Sequence, residues 1–180
     1  MNAHGILTSE TAQSITVKMN NRGFDVYYDH GDPSNSFVGT IPVSTKEELT
    51  SKNQISQLDI AIVEKDTFKA IALIEIEETT DTPKTLIGDI FTTLMGNSVH
   101  LPGRENKVKV GNWTTLIIIG KGADHIDRNE HISDMANNVK TAFGTENSKI
   151  GNIVIKSLSE NQILKDVLMG ILDEAIQRSN

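Results

Sequence analysis

The acidic residues with the most informative spacing are Glu75 and Glu77, which end the apolar run A-I-A-L-I-E-I-E. Side chains alternate across a β-strand, so two residues separated by one position point to the same face. A preceding run, L-D-I-A-I-V, carries Asp59 near its beginning. The segment between the runs, E-K-D-T-F-K, has the length and composition of an antiparallel hairpin connection.

Such a hairpin brings the start of one run beside the end of the other. If the chain turns midway between the runs, Asp59 lies opposite Ile74 or Glu75, depending on the register. Asp59, Glu75 and Glu77 then share one patch, and neither strand supplies a lysine or arginine beside them. Carboxylates at close range repel one another, which raises their pKa values. The cluster therefore either takes up protons or holds a cation that offsets the repulsion.

The chemistry of a cation at this patch follows from its oxygen ligands. Hard oxygen ligands such as carboxylates favour Mg²⁺, Mn²⁺ or Ca²⁺ over Zn²⁺, and we expect Mg²⁺, for which Mn²⁺ can substitute. Mg²⁺ held by a few carboxylates keeps water-filled positions, and these bind a phosphate oxygen and present a nucleophilic water for phosphodiester hydrolysis. An isolated E-x-E pair is more often a solvated strand end with surface glutamates. The neighbouring Asp59 and the apolar flanks favour the metal site here.

The remaining sequence supplies helices and further strands to position these residues. Helical patterns are predicted over residues 9–21, 82–95, 127–143 and from 159 onward. Further strands are predicted at F-D-V-Y-Y-D, S-F-V-G-T-I-P-V, W-T-T-L-I-I-I-G and I-V-I. The unbroken apolar stretch L-I-I-I predicts a strand covered on both faces, and the helix before it predicts parallel pairing. We therefore expect an α/β chain with a central mixed sheet flanked by helices.

This order resembles the PD-(D/E)XK nuclease superfamily, which includes many type II restriction endonucleases. The resemblance covers residues 9–120, roughly two thirds of the chain. It implies a restriction endonuclease-like three-layer fold, with an αβββαβ core plus C-terminal helices, in a single nuclease-like catalytic domain over residues 1–180. By this resemblance, Asp59 and Glu75 would be the metal-binding acids and Ile76 the apolar residue between the acid positions.

The sequence departs from the superfamily pattern at two positions. Gln57-Leu58 stands where the motif has its proline, and Glu77 stands where it has a catalytic lysine. The second departure is similar to an E-x-E variant of the superfamily, in which the carboxylate acts as a base or as an extra metal ligand. The ammonium group of Lys84 could reach the site in place of the motif lysine, and the carboxylate of Glu10 could add a metal ligand. More commonly, a lysine at the position of Lys84 is a solvated residue in the first turn of a helix, and an acid at the position of Glu10 is favoured by the helix dipole.

The charge balance limits how the chain can bind DNA. The net charge is -7, with 24 acidic and 17 basic residues, which excludes a global positive field that attracts nucleic acid. A local patch must then make the contact. The best one is the loop that carries Arg104, Lys107 and Lys109, although a solvated connecting loop is equally common. We therefore expect double-stranded DNA as the substrate, bound by a homodimer or beside a DNA-recognition partner subunit.

Other chemistries are limited by composition. The absence of cysteine excludes disulfides, thiolate zinc sites and a thiol nucleophile. The first residues lack a signal-peptide pattern and no apolar run is long enough to span a bilayer, so we expect a cytoplasmic protein without membrane contact. The histidines show no metal-ligand spacing and are interpreted as turn or surface residues; this applies to His30, His100, His125 and His131.

Three functions remain open at this point. The first is a divalent-metal-dependent DNA endonuclease, of the restriction type or the cleavage subunit of such a system. The second is a non-catalytic interaction module that retains the nuclease fold, motivated by the missing lysine. The third is a nuclease for junctions or damaged DNA in repair. The stretch E-I-E-E-T-T-D also suggests an RNase H-like exonuclease, which we rank below these three. The acid pair of that motif begins with aspartate and lies on a first strand, whereas the pair in this sequence begins with glutamate and lies on a third strand.

Overall fold

The computed structural model of the protein describes residues 3–78, 83–103, 108–121, 134, 138, 141, 149–158 and 163–179. Three helices and eight strands can be bounded within these residues. In chain order they are α1 (Ala3–Asn20), β1 (Phe24–Tyr28), β2 (Ile41–Ser44), β3 (Gln54–Leu58), β4 (Ile60–Glu64), β5 (Ala70–Glu78), α2 (Pro83–Met95), β6 (Ser98–Val99), β7 (Thr115–Lys121), β8 (Asn152–Leu158) and α3 (Leu164–Ser179).

The central sheet has five strands in the order β1-β4-β5-β7-β8. Strands β1, β4 and β5 pair antiparallel, whereas β7 runs parallel to both β5 and β8. The chain passes from β5 to β7 through α2, since parallel neighbours need a long connection. The mixed sheet confirms the predicted α/β class, and the predicted parallel pairing of the L-I-I-I strand is also confirmed.

Helices α1 and α3 cover one face of this sheet. Ala12, Ile15 and Met19 of α1 are fully buried there, and Leu168 and Leu172 of α3 join the same apolar cluster, the first core. Ala12, Ile15 and Met19 follow one another at intervals of three and four residues, which is the spacing of one face of an amphipathic helix. The helix predicted over residues 9–21 is therefore present and packs one apolar face on the central sheet.

The other face is covered by α2 and by a separate three-stranded sheet of order β3-β2-β6, the small sheet. Ile90 and Leu94 of α2 pack with Ile41 and Val43 of β2 in the second core. Strand β7 is buried by both cores, with Ile117 facing the first and the residues on either side of it facing the second. The layers are therefore helices, sheet, and helix with small sheet.

Three predicted boundaries are wrong. The strand predicted at S-F-V-G-T-I-P-V is shorter than expected, because β2 begins at Ile41. Helix α1 begins at Ala3 and not at Ser9. Ser9 is buried inside the helix, where its hydroxyl accepts a hydrogen bond from Gln13 Nε2 at 3.1 Å, so it does not cap a helix start. The run L-D-I-A-I-V is not one strand. Leu58 ends β3 in the small sheet, where it pairs with Ile41, while β4 begins at residue 60 in the central sheet.

Some apolar residues within the predicted helical ranges are exposed. Met95 is 43% exposed at the end of α2, and Ile163 is 65% exposed because it precedes the first residue of α3. Of the helix predicted over residues 127–143, only 134, 138 and 141 are described, and each has helical backbone. The start of the last predicted helix, at residues 159–162, lies outside the described residues. No helix in the described part of the chain is long and apolar enough to cross a membrane.

Thr114 connects the starts of the three parallel strands. Its buried hydroxyl donates to Ala70 O, at the start of β5, at 2.7 Å and accepts a hydrogen bond from Gly111 N at 3.1 Å. Its carbonyl oxygen accepts hydrogen bonds from Gly151 N and Asn152 N, at the start of β8. One side chain and one carbonyl therefore align β5, β7 and β8.

We expect Thr114→Val to lower the free energy of unfolding by about 1–3 kcal/mol, because an isosteric apolar side chain leaves two buried backbone groups without partners. Urea denaturation followed by circular dichroism measures the change. The matched control is Thr16→Val, which removes a hydroxyl bonded to Ala12 O within α1 and should change stability by no more than about 0.5 kcal/mol. Equal losses in the two variants would contradict the role of Thr114.

Candidate metal centre

Acidic side chains converge at one edge of the central sheet. Strands β1 and β5 both end at this edge and β4 begins there, because β4 is antiparallel to each of them. Asp29 and His30 follow β1, Asp59 precedes β4, and Glu75 and Glu77 lie in the last part of β5. These five residues are called the acidic edge below.

The hairpin register brings Asp59 beside Glu75. Ile60 pairs with Ile74, and Asp59 N donates to Ile74 O at 3.2 Å, which agrees with one of the two predicted registers. Asp59 is only 6% exposed, and its Oδ2 accepts a hydrogen bond from Ile76 N at 2.7 Å. The Asp59 carboxylate thus gives β5 an acceptor at the point where the chain passes from the small sheet into the central sheet.

Glu75 is a buried carboxylate in an acidic environment. It is 7% exposed, and no residue in the described part of the chain donates a hydrogen bond to its carboxylate. Burial raises the pKa of Glu75 well above its ordinary value, and the negative charges of Asp59, Asp89, Glu77 and Asp29 raise it further, in decreasing order of effect. An ionised Glu75 therefore needs a compensating cation.

The side of the sheet that carries Glu75 follows from its neighbours. Ile74 and Ile76 belong to the first core and Leu73 to the second, so Glu75 and Glu77 face the side of α2 and the small sheet. Glu77 is half-buried on that side. The pair therefore shares one face, as the spacing predicts.

Asp29 and His30 join the acidic edge from the end of β1. Asp29 N donates to Asp59 O at 3.0 Å, which continues the β1–β4 pairing by one residue. Asp29 Oδ1 lies 2.5 Å from His30 Nδ1, and Gln57 Nε2 donates to Asp29 Oδ2 at 3.5 Å. The Asp29 side chain is 5% exposed and that of His30 is 34% exposed. The pair therefore has one buried acid and one solvent-accessible imidazole.

Among the described residues, one set has ligand atoms close enough for a single metal ion. Asp29, His30 and Asp59 can each place one ligand atom within 4.8 Å of the others. The predicted trio of Asp59, Glu75 and Glu77 does not meet this spacing in the described structure. Glu75 instead lies next to the set, where the charges of Asp59 and Asp29 act on it. The site thus differs in composition from the predicted one, with Asp59 common to both.

Sequence reasoning missed Asp29 and Asp89 and gave His30 only a turn role. Asp29 follows the alternating strand F-D-V-Y-Y, so its position at a strand end was a usable signal. Its approach to Asp59 had no local signal, because the small-sheet strands β2 and β3 separate β1 from β4 in the chain. Asp89 lies in α2, one residue before the buried Ile90.

The secondary candidates do not converge in the described structure. Glu10 is exposed on α1, a helix that packs on the opposite face from Glu75. Lys84 lies in α2, but its side chain is outside the described residues, as are Arg104 and Lys107 entirely. Glu10 is therefore not brought to the acidic edge.

Lys109 lies at the far end of β5 from the acidic edge. It bridges to Lys69, with Lys109 N donating to Phe68 O at 2.9 Å and Ala70 N donating to Lys109 O at 2.9 Å. Six residues of extended strand separate Lys69 from Glu75, a distance of about 20 Å. A phosphate bound by Lys109 would thus lie far from a phosphate bound at the acidic edge.

Comparisons of the chain with family models, with curated proteins and with solved structures give no match. The resemblance to the PD-(D/E)XK superfamily stays a prediction from the residue pattern. The chemistry of the site is therefore inferred from its own groups. The carboxylates of Asp29 and Asp59 and the imidazole of His30 are donor types suited to a divalent cation, and Glu75 adds a buried carboxylate whose charge interacts with both acids.

We expect Glu75→Gln to stabilise the metal-free protein by about 1–3 kcal/mol at about pH 7.5. In the wild type the pKa of Glu75 is raised on folding, so its contribution to stability is complete below the ordinary value of 4.5 and is lost as the pH rises through the folded-state pKa. The gain should therefore disappear near about pH 4. Urea denaturation in EDTA across this pH range measures it.

The control for this experiment is Glu48→Gln, which neutralises an exposed glutamate in the loop between β2 and β3. It should change stability by less than about 0.5 kcal/mol at every pH. A Glu75→Gln effect that is independent of pH, or that destabilises the protein at neutral pH, would contradict the charge environment described for Glu75.

Proposed function

We propose that the protein is a divalent-metal-dependent DNA endonuclease that hydrolyses phosphodiester bonds. The observation that carries the proposal is the buried Glu75, which has no hydrogen-bond donor among the described residues and lies beside the carboxylate of Asp59. Keeping like charges buried together is costly unless a cation balances them. A divalent cation in such a site would support metal-assisted phosphodiester hydrolysis.

The order of elements supports the same proposal. Helix α1 is followed by the antiparallel strands β1, β4 and β5, then by α2 and the parallel strand β7. The superfamily resemblance predicts this αβββαβ order, with the first acid on the middle strand and the second on the third strand. The small sheet is then an addition between β1 and β4. A restriction endonuclease-like version of the three-layer fold is part of the proposal.

Mg²⁺ or Mn²⁺ would be held by Asp59 and Glu75, with Asp29 and His30 next to them. When bound, the metal polarises a phosphate oxygen and lowers the pKa of a bound water. Asp59 is positioned for this role by the hydrogen bond from Ile76 N. Glu77, on the same face as Glu75, takes the position of the motif lysine and would accept the proton of the attacking water.

Among the described residues of this acidic protein, no member of the predicted basic patch lies at the acidic edge. The chain has a net charge of -7, and Lys109 lies at the far end of β5 from the acidic edge. A DNA-recognition partner subunit or a second copy of the chain would supply contacts to the phosphate backbone. This favours the cleavage subunit of a restriction system over a nuclease that acts alone.

A non-catalytic interaction module is the second candidate. It is favoured by Glu77, which stands where the superfamily motif has a lysine. The two candidates differ in metal uptake, since a module that has lost catalysis does not need a cation at Asp59 and Glu75. A nuclease for junctions or damaged DNA uses the same chemistry as the first candidate and differs only in the DNA that it cuts.

We expect the protein to nick or linearise supercoiled plasmid with Mg²⁺ or Mn²⁺, because both ions can occupy oxygen-rich sites. Asp59→Asn and Glu75→Gln should each reduce the cleavage rate by about 100-fold or more, the effect of removing one group that stabilises transition-state charge. Gel electrophoresis of time courses with plasmid, linear and branched DNA measures the rates and separates restriction from junction substrates.

The matched control is Asp66→Asn, which neutralises an exposed carboxylate in the turn between β4 and β5, at the opposite end of the hairpin from Asp59. Its cleavage rate should equal that of the wild type. If none of these DNAs is cut with either metal, alone or with a second subunit, the proposal of a nuclease fails. Equal rates in the wild type and Glu75→Gln would also contradict it.

A further inference from the structure

The imidazole of His30 introduces a ligand that Mg²⁺ sites rarely use. We propose that Asp29, His30 and Asp59 form a mixed carboxylate and imidazole site that binds a divalent transition metal, such as Mn²⁺ or Co²⁺, in preference to Mg²⁺. The inference deepens the proposed function by naming the class of metal, and it rests on that function through Asp59, which both share.

The geometry of the three side chains is close to that of a metal-bound set. Their ligand atoms lie within 4.8 Å of one another. With bonds of about 2.1 Å, two ligand atoms on one ion are at most about 4.2 Å apart. Small side-chain rotations are therefore sufficient to bring one atom of each residue onto a single ion.

The backbone around the three residues holds them in this arrangement. The hydrogen bond from Asp29 N to Asp59 O joins the end of β1 to the residue before β4. Asp59 Oδ2 is fixed by Ile76 N at 2.7 Å, and Asp29 Oδ2 accepts a weak hydrogen bond from Gln57 at 3.5 Å. An ionised carboxylate has about four acceptor positions, so one hydrogen bond does not by itself prevent it from binding a metal. Ligands that are held before binding lose less conformational entropy when the metal binds.

The burial of Glu75 without a hydrogen-bond donor in the described part of the chain is an independent observation that points to a cation. Its side chain is more than nine-tenths buried, lacks a hydrogen-bond donor among the described residues, and experiences the charges of both Asp59 and Asp29. A purely structural acid would gain a hydrogen-bonding or ionic partner from its surroundings. A metal ion at Asp29 and Asp59 would offset the negative charge that Glu75 faces.

The ligand types decide the preference among metals. Mg²⁺ is bound through oxygen and keeps several waters, whereas imidazole nitrogen favours transition metals. Affinity for sites with nitrogen and oxygen ligands also rises from Mn²⁺ through Co²⁺. His30 is next to Asp29, and such a carboxylate contact fixes the orientation of a ligating imidazole. The 34% exposure of the His30 side chain leaves a path for the ion and for a substrate oxygen.

The test measures binding of MnCl₂ and of MgCl₂ to the full-length protein by isothermal titration calorimetry. We expect tighter binding of Mn²⁺ than of Mg²⁺ in the wild type. His30→Gln should weaken Mn²⁺ binding by about 10-fold to 100-fold and change Mg²⁺ binding by less than about 3-fold. Asp59→Asn should weaken the binding of both ions.

Pulsed electron paramagnetic resonance of the Mn²⁺-loaded protein supplies a second readout. We expect the nitrogen coupling of a coordinated imidazole in the wild type and its loss in His30→Gln. The matched control is His100→Gln, which removes a histidine bonded to Ser44 in the small sheet and should leave the coupling unchanged. The wild-type spectrum decides the question even if His30→Gln does not fold.

The outcomes separate this inference from the proposed function. Mn²⁺ that binds without nitrogen coupling, in a protein whose DNA cleavage depends on Asp59, overturns the role of His30 and leaves the nuclease proposal intact. Nitrogen coupling from His30 in a protein that cuts no DNA supports the metal site and removes the nuclease function. Absence of binding by either ion overturns the metal site itself.

Discussion

The hydrogen bond from Ile76 N to Asp59 Oδ2 is the interaction on which the arrangement of the site depends. Asp59 is the one residue between β3 and β4, which belong to different sheets. A backbone that turns out of a sheet leaves its neighbour's N–H group without an acceptor, and burial makes that loss costly. The Asp59 carboxylate provides the acceptor. The same side chain that allows the change of sheet is therefore held, with little freedom, at the end of β5.

Burial of acids at this edge works against folding, and the surrounding packing must offset it. Both faces of the central sheet are covered, and fully buried isoleucines flank Glu75 at positions 74 and 76. Apolar burial of this kind stabilises a fold by about 25 cal/mol per Å². Local charge repulsion can then be retained at one edge without loss of the fold, which is a common property of sites that bind ions.

The predictable part of the site came from short-range patterns. Period-two alternation placed Glu75 and Glu77 on one face, and the length of the β4–β5 connection limited Asp59 to positions beside Ile74 or Glu75. Asp29 and His30 depend on the pairing of β1 with β4 across the whole of β2 and β3, and no local pattern encodes that contact. The location of Lys109 depends in the same way on its pairing beside Phe68 and Ala70. The start of α1 was misplaced because Ser9 bonds within the helix and does not cap it.

The single-residue junction at Asp59 has a consequence for how the small sheet and the site influence each other. Leu58, immediately before Asp59, is fully buried against the second core and paired with Ile41 of β2. A shift of the small sheet would therefore be transmitted to the Asp59 carboxylate through one peptide unit. Thermodynamic linkage makes such coupling reciprocal, so an ion that fixed Asp59 would also restrict the small sheet, and a molecule bound to the small sheet would change the affinity for that ion.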